Sequence, residues 1–276
     1  MVDLSDFVAH SPNVKRGDIP AERRRRLNDA LEGLNSGLYG SDTGQVSGGG
    51  NDIPTAGLVS YWPLDDLEDG TATDYVGRND GAVNGSVSTV TGRVDNAAAF
   101  DGGYIEVGTG ETFGLSEFTV SAWAKAEDED ASRLRTILAR QDPTGKSYEK
   151  RTFVLWFDDD SGFFGAGVIS ARAAEADRDL RTVTTSDSYI DGEWHHVSVT
   201  AVADGELTLY VDGSKQTTEP IDGPLYTGSG ATWIGQSPSQ ARPLSGAVDD
   251  VRIYDRALSD SEVTSLYDTT SVTRET

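Results

Sequence analysis

From residue 53 onward, apolar side chains recur at every second position in short runs. Phe118, Val120, Ala122 and Ala124 alternate with Thr119, Ser121, Trp123 and Lys125, which predicts a strand over 118–125 with one apolar face. The stretch 196–202 alternates in the same way, and 153–157 is short and apolar throughout. Residues 207–211 run into Asp212-Gly213, a dipeptide suited to a hairpin turn with positive φ, and 214–218 read as the returning strand. Further strands are expected over 231–235 and 247–254. Short strands at regular spacing, broken by Gly and Asp turns, predict an all-β, two-sheet antiparallel jelly-roll sandwich. One helix closes the series. Ser259-Asp-Ser-Glu262 reads as a capping box, with Val263, Leu266 and Tyr267 as the apolar side.

The first 52 residues follow a different pattern. Pro20 suits a first helical turn, and Leu27, Ala30, Leu31 and Leu34 form one apolar stripe at i, i+3, i+4 and i+7. Gly37 offers a stop. A helix this short is not stable alone in water and needs a surface to pack on. Residues 35–52 are rich in Gly and Ser and read as a linker. The expected plan is an N-terminal arm with a short helix (1–34), a linker (35–52) and a β domain with a C-terminal helix (53–276).

Charge sharpens this division. The 276 residues carry 46 acidic and 23 basic side chains, a formal net charge of -23. Residues 1–52 hold 8 acidic and 6 basic residues, and 53–276 hold 38 and 17, so the β domain alone stands at -21. Such a domain repels phosphate backbones, which argues against nucleic acid as a partner. Lysine is scarce, 5 against 18 arginines. Acidic, Lys-poor surfaces suit concentrated salt, where Debye screening extends only a few Å, so a halophilic origin is expected. The absence of cysteine excludes disulfides, thiolate metal sites and a cysteine nucleophile. No apolar run approaches the roughly 20 residues of a membrane span. The N-terminus also lacks the basic-then-apolar signature of a signal peptide.

Several stretches, in order, resemble the laminin G-like, concanavalin A-type jelly rolls. They are Gly57-Leu-Val-Ser-Tyr-Trp-Pro-Leu-Asp65, Gly81-Ala-Val-Asn-Gly85, Ala98-Ala-Phe-Asp-Gly102 and Tyr104-Ile-Glu-Val107. They continue with Phe118-Thr-Val-Ser-Ala-Trp123, Asp191-Gly-Glu-Trp-His-His-Val197, Leu209-Tyr-Val-Asp-Gly213, Ile234-Gly235 and the run from Gly246 to Ser259. The resemblance implies a binding role toward carbohydrates or protein surfaces. It also implies that Trp62, Trp123, Trp194 and Trp233 fall in core stretches; Trp156, Phe163 and Phe164 lie in less constrained sequence and Tyr148, Tyr189 and Tyr226 in loops, and since no set of them is specific the sugar-binding residues stay open. It further implies a structural Ca²⁺ near the first strand and the last long strand, for which Asp65, Asp66, Asp101, Asp249 and Asp250 are the candidate ligands.

Catalytic readings are weaker. His195 and His196 are adjacent on a strand and point to opposite faces, so they cannot share one ligand. Glucanases of this superfold carry a Glu-x-Asp-x-x-Glu strand. Here Glu175 and Asp177 match its first two positions, but Leu180 stands at the third. Glu127-Asp-Glu-Asp130 reads as a solvated loop. The chain is therefore expected not to be an enzyme and to need no organic cofactor.

Arg23, Arg24, Arg25 and Arg26 form the one basic cluster. Arginine pairs carboxylates bidentately, so these four, with Leu27, Leu31 and Leu34, are expected to dock the arm on an acidic protein partner. A lectin-like domain without a signal peptide suggests a protein made in the cytoplasm of a halophilic host and displayed on a virion surface. The expected partners are other virion proteins through the arm, further copies of the chain in a homo-oligomer, and a host-surface glycan or glycoprotein. Two alternatives stand beside this reading: an exported, extracellular carbohydrate-binding protein, and a degenerate glycosidase.

Overall fold

The computed structural model of the chain describes residues 53–77, 79–126, 134–142, 150–159, 166–174, 180–239 and 242–271. The expected arm and linker lie outside the described residues. Within them the predicted architecture is present: two antiparallel sheets and a C-terminal helix.

Sheet I has the order β14 (Ser214–Pro220), β13 (Glu206–Val211), β12 (His195–Val202), β7 (Glu117–Ala126), β16 (Ser245–Tyr254), β5 (Asn96–Asp101) and β4 (Val87–Thr91). β16 takes two partners on one side. Its first half pairs with β5, and its second half pairs with β1 (Leu58–Trp62). Sheet II has the order β11 (Leu180–Thr184), β10 (Ala166–Ala174), β9 (Arg151–Asp159), β8 (Arg135–Gln141), β15 (Ala231–Ile234), β6 (Tyr104–Gly108), β3 (Gly81–Asn84) and β2 (Thr71–Ala72).

The period of two fills the space between the sheets. Phe118, Val120, Ala122 and Ala124 of β7 face inward, as predicted, and join Val197 and Val199 of β12 and Leu207 and Leu209 of β13. Sheet II answers with Phe153, Leu155 and Phe157 of β9, Ile105 and Val107 of β6, and Ile234 of β15. Each such side chain gains about 1.5–3 kcal/mol on leaving water. Trp62 and Phe113 meet edge to face in this core, 5.9 Å apart.

The outer face of sheet I is covered by α1 (Asp260–Ser271). Ser259 caps it: the Glu262 N–H donates to Ser259 Oγ and the Ser259 N–H donates to Glu262 Oε2, the reciprocal pair the sequence predicts. Val263 and Leu266 then pack on Tyr61, Tyr210 and Tyr254. Trp123 Nε1 donates to Thr270 Oγ1 at 2.9 Å. Thr119, Ser121 and Trp123 of β7 are therefore buried on this side too, and each finds a partner, in Arg256 O, His196 and Thr270, while Lys125 near the strand's end is half-buried.

Turn chemistry fixes the connections. Asp212 and Gly213 take φ of 50° and 71°, which sets the β13–β14 hairpin. Between β2 and β3 the buried Asp74 carboxylate accepts the N–H groups of Tyr61, Val76, Gly77 and Asn79, tying this loop to β1.

Candidate functional site

The outer face of sheet II carries no described helix. Ile105 and Ile234 point into the core, so the intervening Tyr104, Glu106 and Trp233 point outward. Tyr104 and Trp233 are half-buried and stack with ring centroids 3.9 Å apart and planes 18° from parallel. Glu106 is the cross-strand neighbour of Trp233 and is also half-buried. The face continues through Ala139, paired with Trp233, to Val154, paired with Ala139. Ala139, Val154 and Trp156 form a small apolar cluster outside the main core. The Arg172 guanidinium lies 5.1 Å over the Trp156 ring, and its Nε donates to Thr182 Oγ1. The indole N–H groups of Trp156 and Trp233 are buried without a hydrogen-bond acceptor, so it is the ring planes rather than these donors that the face presents.

This arrangement corrects one expectation. The resemblance implies a core position for Trp233, but strict alternation with the buried Ile234 turns it outward. Trp156 also lies on the outer face. Trp62 is in the core and Trp123 is beneath α1. Trp194 is half-buried just before β12. Tyr189 packs edge-on against His195 rather than offering a free ring. Tyr148, Phe163 and Phe164 lie outside the described residues. The residue that the sequence reading missed is Tyr104, although the core positions of Ile105 and Val107 dictate where its ring points.

The five candidate calcium ligands do not form one site. Asp249 and Asp250 sit where β16 changes partners from β5 to β1, and Asp250 takes a positive φ of 57° at an irregularity in the β7 pairing. Asp249 Oδ2 accepts the N–H groups of Arg93 and Val94, both at 2.8 Å. Burial, then the charges of Asp250 and Asp65, raise the Asp249 pKa well above the ordinary carboxylate value. Asp250 is ion-paired with the buried Arg252, whose guanidinium covers the Tyr61 ring at 4.4 Å. Asp65 approaches this cluster through Asn96, whose N–H it accepts at 2.9 Å.

Asp66 is exposed. Asp101 is at the opposite end of β5, paired with Ser245, because β5 runs antiparallel to β16 from Asn96. Asp250 Oδ2 is taken by Arg252, whereas the Oδ1 atoms of Asp249 and Asp250 are buried without a hydrogen-bond partner. With Asp65 these oxygens fall short of the six to eight that calcium takes. Among the described residues no group of three or more His, Asp or Glu side chains is arranged to hold a metal ion.

The two adjacent histidines do face opposite ways. His196 is buried under α1, with Ser121 Oγ 2.9 Å from its Nε2 and Trp123 and Tyr267 against its ring. His195 lies between Asp212 and Asp191. The proposed docking residues Arg23, Arg24, Arg25, Arg26, Leu27, Leu31 and Leu34 lie outside the described residues, as do 127–130 and 175–179.

Residues 99–264 match the family model Laminin_G_3, the concanavalin A-like lectin/glucanases superfamily. No functionally curated protein matches. Among solved structures, the chain is similar to domain 4 of AbnA, a GH43 extracellular arabinanase from Geobacillus stearothermophilus, in complex with arabinotriose. The TM-score is 0.60 and the identity 19%, over 76% of this chain and 98% of that domain. The binding domain of Paraclostridial Mosquitocidal Protein 1 aligns with a TM-score of 0.59 and 18% identity, over 77% of this chain and 52% of that one. Trypanosoma rangeli sialidase aligns with a TM-score of 0.62 and 18% identity, over 88% of this chain but only 38% of the sialidase. The matched family segment runs from β5 through β16 into α1, well over half of the sequence, and the chain belongs to the concanavalin A-like lectin/glucanase superfamily.

Proposed function

We propose that the chain is a non-enzymatic carbohydrate-binding module that takes a neutral oligosaccharide on the outer face of sheet II. The observation that carries this reading is the half-exposed Tyr104–Trp233 stack with Glu106 beside it. A sugar ring has an apolar C–H face that lies on an aromatic plane, while its hydroxyls need acceptors and donors at the rim. Glu106 supplies acceptors beside the stack. An anionic glycan is disfavoured by Glu106 and by the acidic domain as a whole.

Among the described residues, the two carboxylates on the strands of this face, Glu106 and Asp158, belong to strands separated by three strand spacings, roughly 14 Å. Glycoside hydrolysis uses carboxyl pairs about 5–9.5 Å apart. That spacing favours binding over turnover.

Calorimetric titration with arabinotriose and a panel of other neutral oligosaccharides tests the proposal. Trp233→Ala and Tyr104→Ala are expected to weaken binding by about tenfold or more, roughly 1.4 kcal/mol, with melting temperatures close to wild type. A wild-type chain that binds no neutral glycan, or a Trp233→Ala chain that binds as well as wild type, overturns the site. Hydrolysis of a bound oligosaccharide overturns the non-enzymatic part.

Display of this module on a virus particle of a halophilic host, anchored by residues 1–34, is the finer reading we attach to it. It is supported by the acidic, Lys-poor sequence and by the arginine cluster at 23–26. Recovery of the chain in purified particles, and its loss on deleting 1–34, is the corresponding test.

A further inference from the structure

Among the described residues β4 closes one end of sheet I with an unpaired edge. Exposed edges template pairing with other chains, and proteins blunt them with charge, proline, bulges or short length. The other described edges follow this rule, and the outer side of β1 is covered by the loop between β2 and β3, where Asp74 accepts the Tyr61 N–H and the Tyr75 N–H donates to Tyr61 O. β14 carries Lys215, Glu219 and Pro220, β11 carries Arg181, and β2 is two residues long. β4 does not follow it. Its sequence Val87-Ser-Thr-Val-Thr91 has no charge and no proline, and its pairing with β5 runs without a register shift. Ser88, Thr89, Val90 and Thr91 are exposed, and Val90, at 37%, is the exposed large hydrophobic side chain among the described residues.

The phase of this edge is fixed. The Asp101 N–H donates to Ser86 O at 3.1 Å. Antiparallel ladders alternate, so Ser88 and Val90 turn their N–H and C=O groups toward β5, and Val87, Thr89 and Thr91 turn theirs outward. Three outward residues centred on Thr89 are what a two-fold axis requires. With the axis at Thr89, Val87 meets Thr91 of the second chain, Thr89 meets Thr89, and about six N–H···O bonds close.

We propose that β4 is a self-docking edge, on which a second copy of this chain pairs antiparallel about Thr89 to continue sheet I across the dyad. Charge argues for this occupant. Chains of net charge -23 repel one another, and they meet at least cost where each is uncharged. β4 is such a stretch and is complementary to itself. The pairing is therefore strengthened by salt, which screens the remaining repulsion.

The chain has no cysteine, so single cysteines report the geometry directly. Hydrogen-bonded antiparallel residues have Cα atoms about 5.5 Å apart, inside the disulfide range. In the full chain, Thr89→Cys is expected to form intermolecular disulfides about tenfold faster than Ser88→Cys, whose dyad mate is Val90 rather than itself. Thr89→Pro removes an outward N–H while sparing the β5 ladder. It is expected to abolish dimers in sedimentation while leaving the melting temperature near that of wild-type monomer. Three results would each overturn the proposal: equal rates for the two cysteine variants, dimers that persist in Thr89→Pro, or wild-type chain that sediments as a monomer in concentrated salt.

Discussion

His195 bridges two carboxylates from different segments: its Nδ1 lies 2.9 Å from Asp212 Oδ2 and its Nε2 lies 3.2 Å from Asp191 Oδ1. Asp212 stands on the positive-φ turn of the β13–β14 hairpin, and its second oxygen accepts the His196 N–H. Asp191 belongs to the loop before β12. The imidazole thus clasps a hairpin tip to a loop, and with both nitrogens facing acceptors it is suited to carry two protons.

The pH dependence of stability follows from two histidines with opposite shifts. Burial lowers the His195 pKa, but hydrogen bonds and charges from Asp212 and Asp191 outweigh it, and the net shift is upward. Its contribution is complete below the unfolded value, about 6.5, and is lost as pH rises through the folded value. His196 is pushed down to about 3 by burial and by Arg252. The unfolded chain takes up a proton there that the folded chain refuses, so stability falls as pH drops from about 6.5 toward 3. Melting temperatures of wild type should decline on both sides of about pH 6.5. His195→Gln should make the alkaline decline shallower, leaving the part that Asp249 contributes, and should leave the acid decline in place. A parallel alkaline decline in wild type and variant would rule out the clasp.

Asp249→Asn tests the junction in β16. The raised pKa of Asp249 means that its ionised form costs stability as pH rises above the ordinary carboxylate range. Asparagine keeps an acceptor for the Arg93 and Val94 N–H groups and carries no charge. The variant should melt no lower than wild type at neutral pH without divalent cations, and its profile between pH 4 and 7 should be flatter. If millimolar calcium instead stabilises wild type and not Asp249→Asn, a cation holds this carboxylate.

Asp74→Ala should be among the most damaging single changes. It strands four backbone donors that the carboxylate now satisfies. Buried unmade bonds cost about 1–3 kcal/mol each, so a loss of at least about 3 kcal/mol is expected in urea unfolding. A loss under about 1 kcal/mol would mean that water replaces the carboxylate.

Gly235→Ala probes the end of β15. Gly235 has φ of 83°, and an added Cβ would meet the Phe100 ring at 2.3 Å. Strain and overpacking act together, for an expected loss of about 2 kcal/mol or more in the same assay. The melting temperature of Gly192→Ala, which has a similar φ but nothing within 4 Å of the added atom, separates the two causes.

Strands that alternate across one buried face were legible in the sequence. β7, β12, β13 and β14 fall within a residue or two of the predicted spans, and Asp212-Gly213 turns as expected. β8 was not legible, because Arg135, Arg140 and Gln141 are fully buried in it and no period of two survives. Arg140 illustrates the reason: its guanidinium binds Gly110 O and Gly228 O, partners 30 and 88 residues away. For the acidic candidates, strand direction decided the outcome. Asp101 and Asn96 are five residues apart on β5, and it is Asn96 that reaches Asp65. The site on sheet II needed only the alternation around Ile105 and Ile234, but the family resemblance drew Trp233 inward.

The position of β16 between β7 on one side and β5 and β1 on the other has a consequence for synthesis. Residues 245–254 are the last strand made, yet sheet I is joined through them. Until they emerge, the β4–β5 hairpin has no neighbour and β7 has an open side. At typical elongation of 5–20 residues per second, β1 waits on the order of ten seconds or more for this keystone, and each later strand waits less. Nascent or truncated chains ending before Ser245 therefore carry long unprotected edges, and the fold is completed as a unit, from its final strand inward.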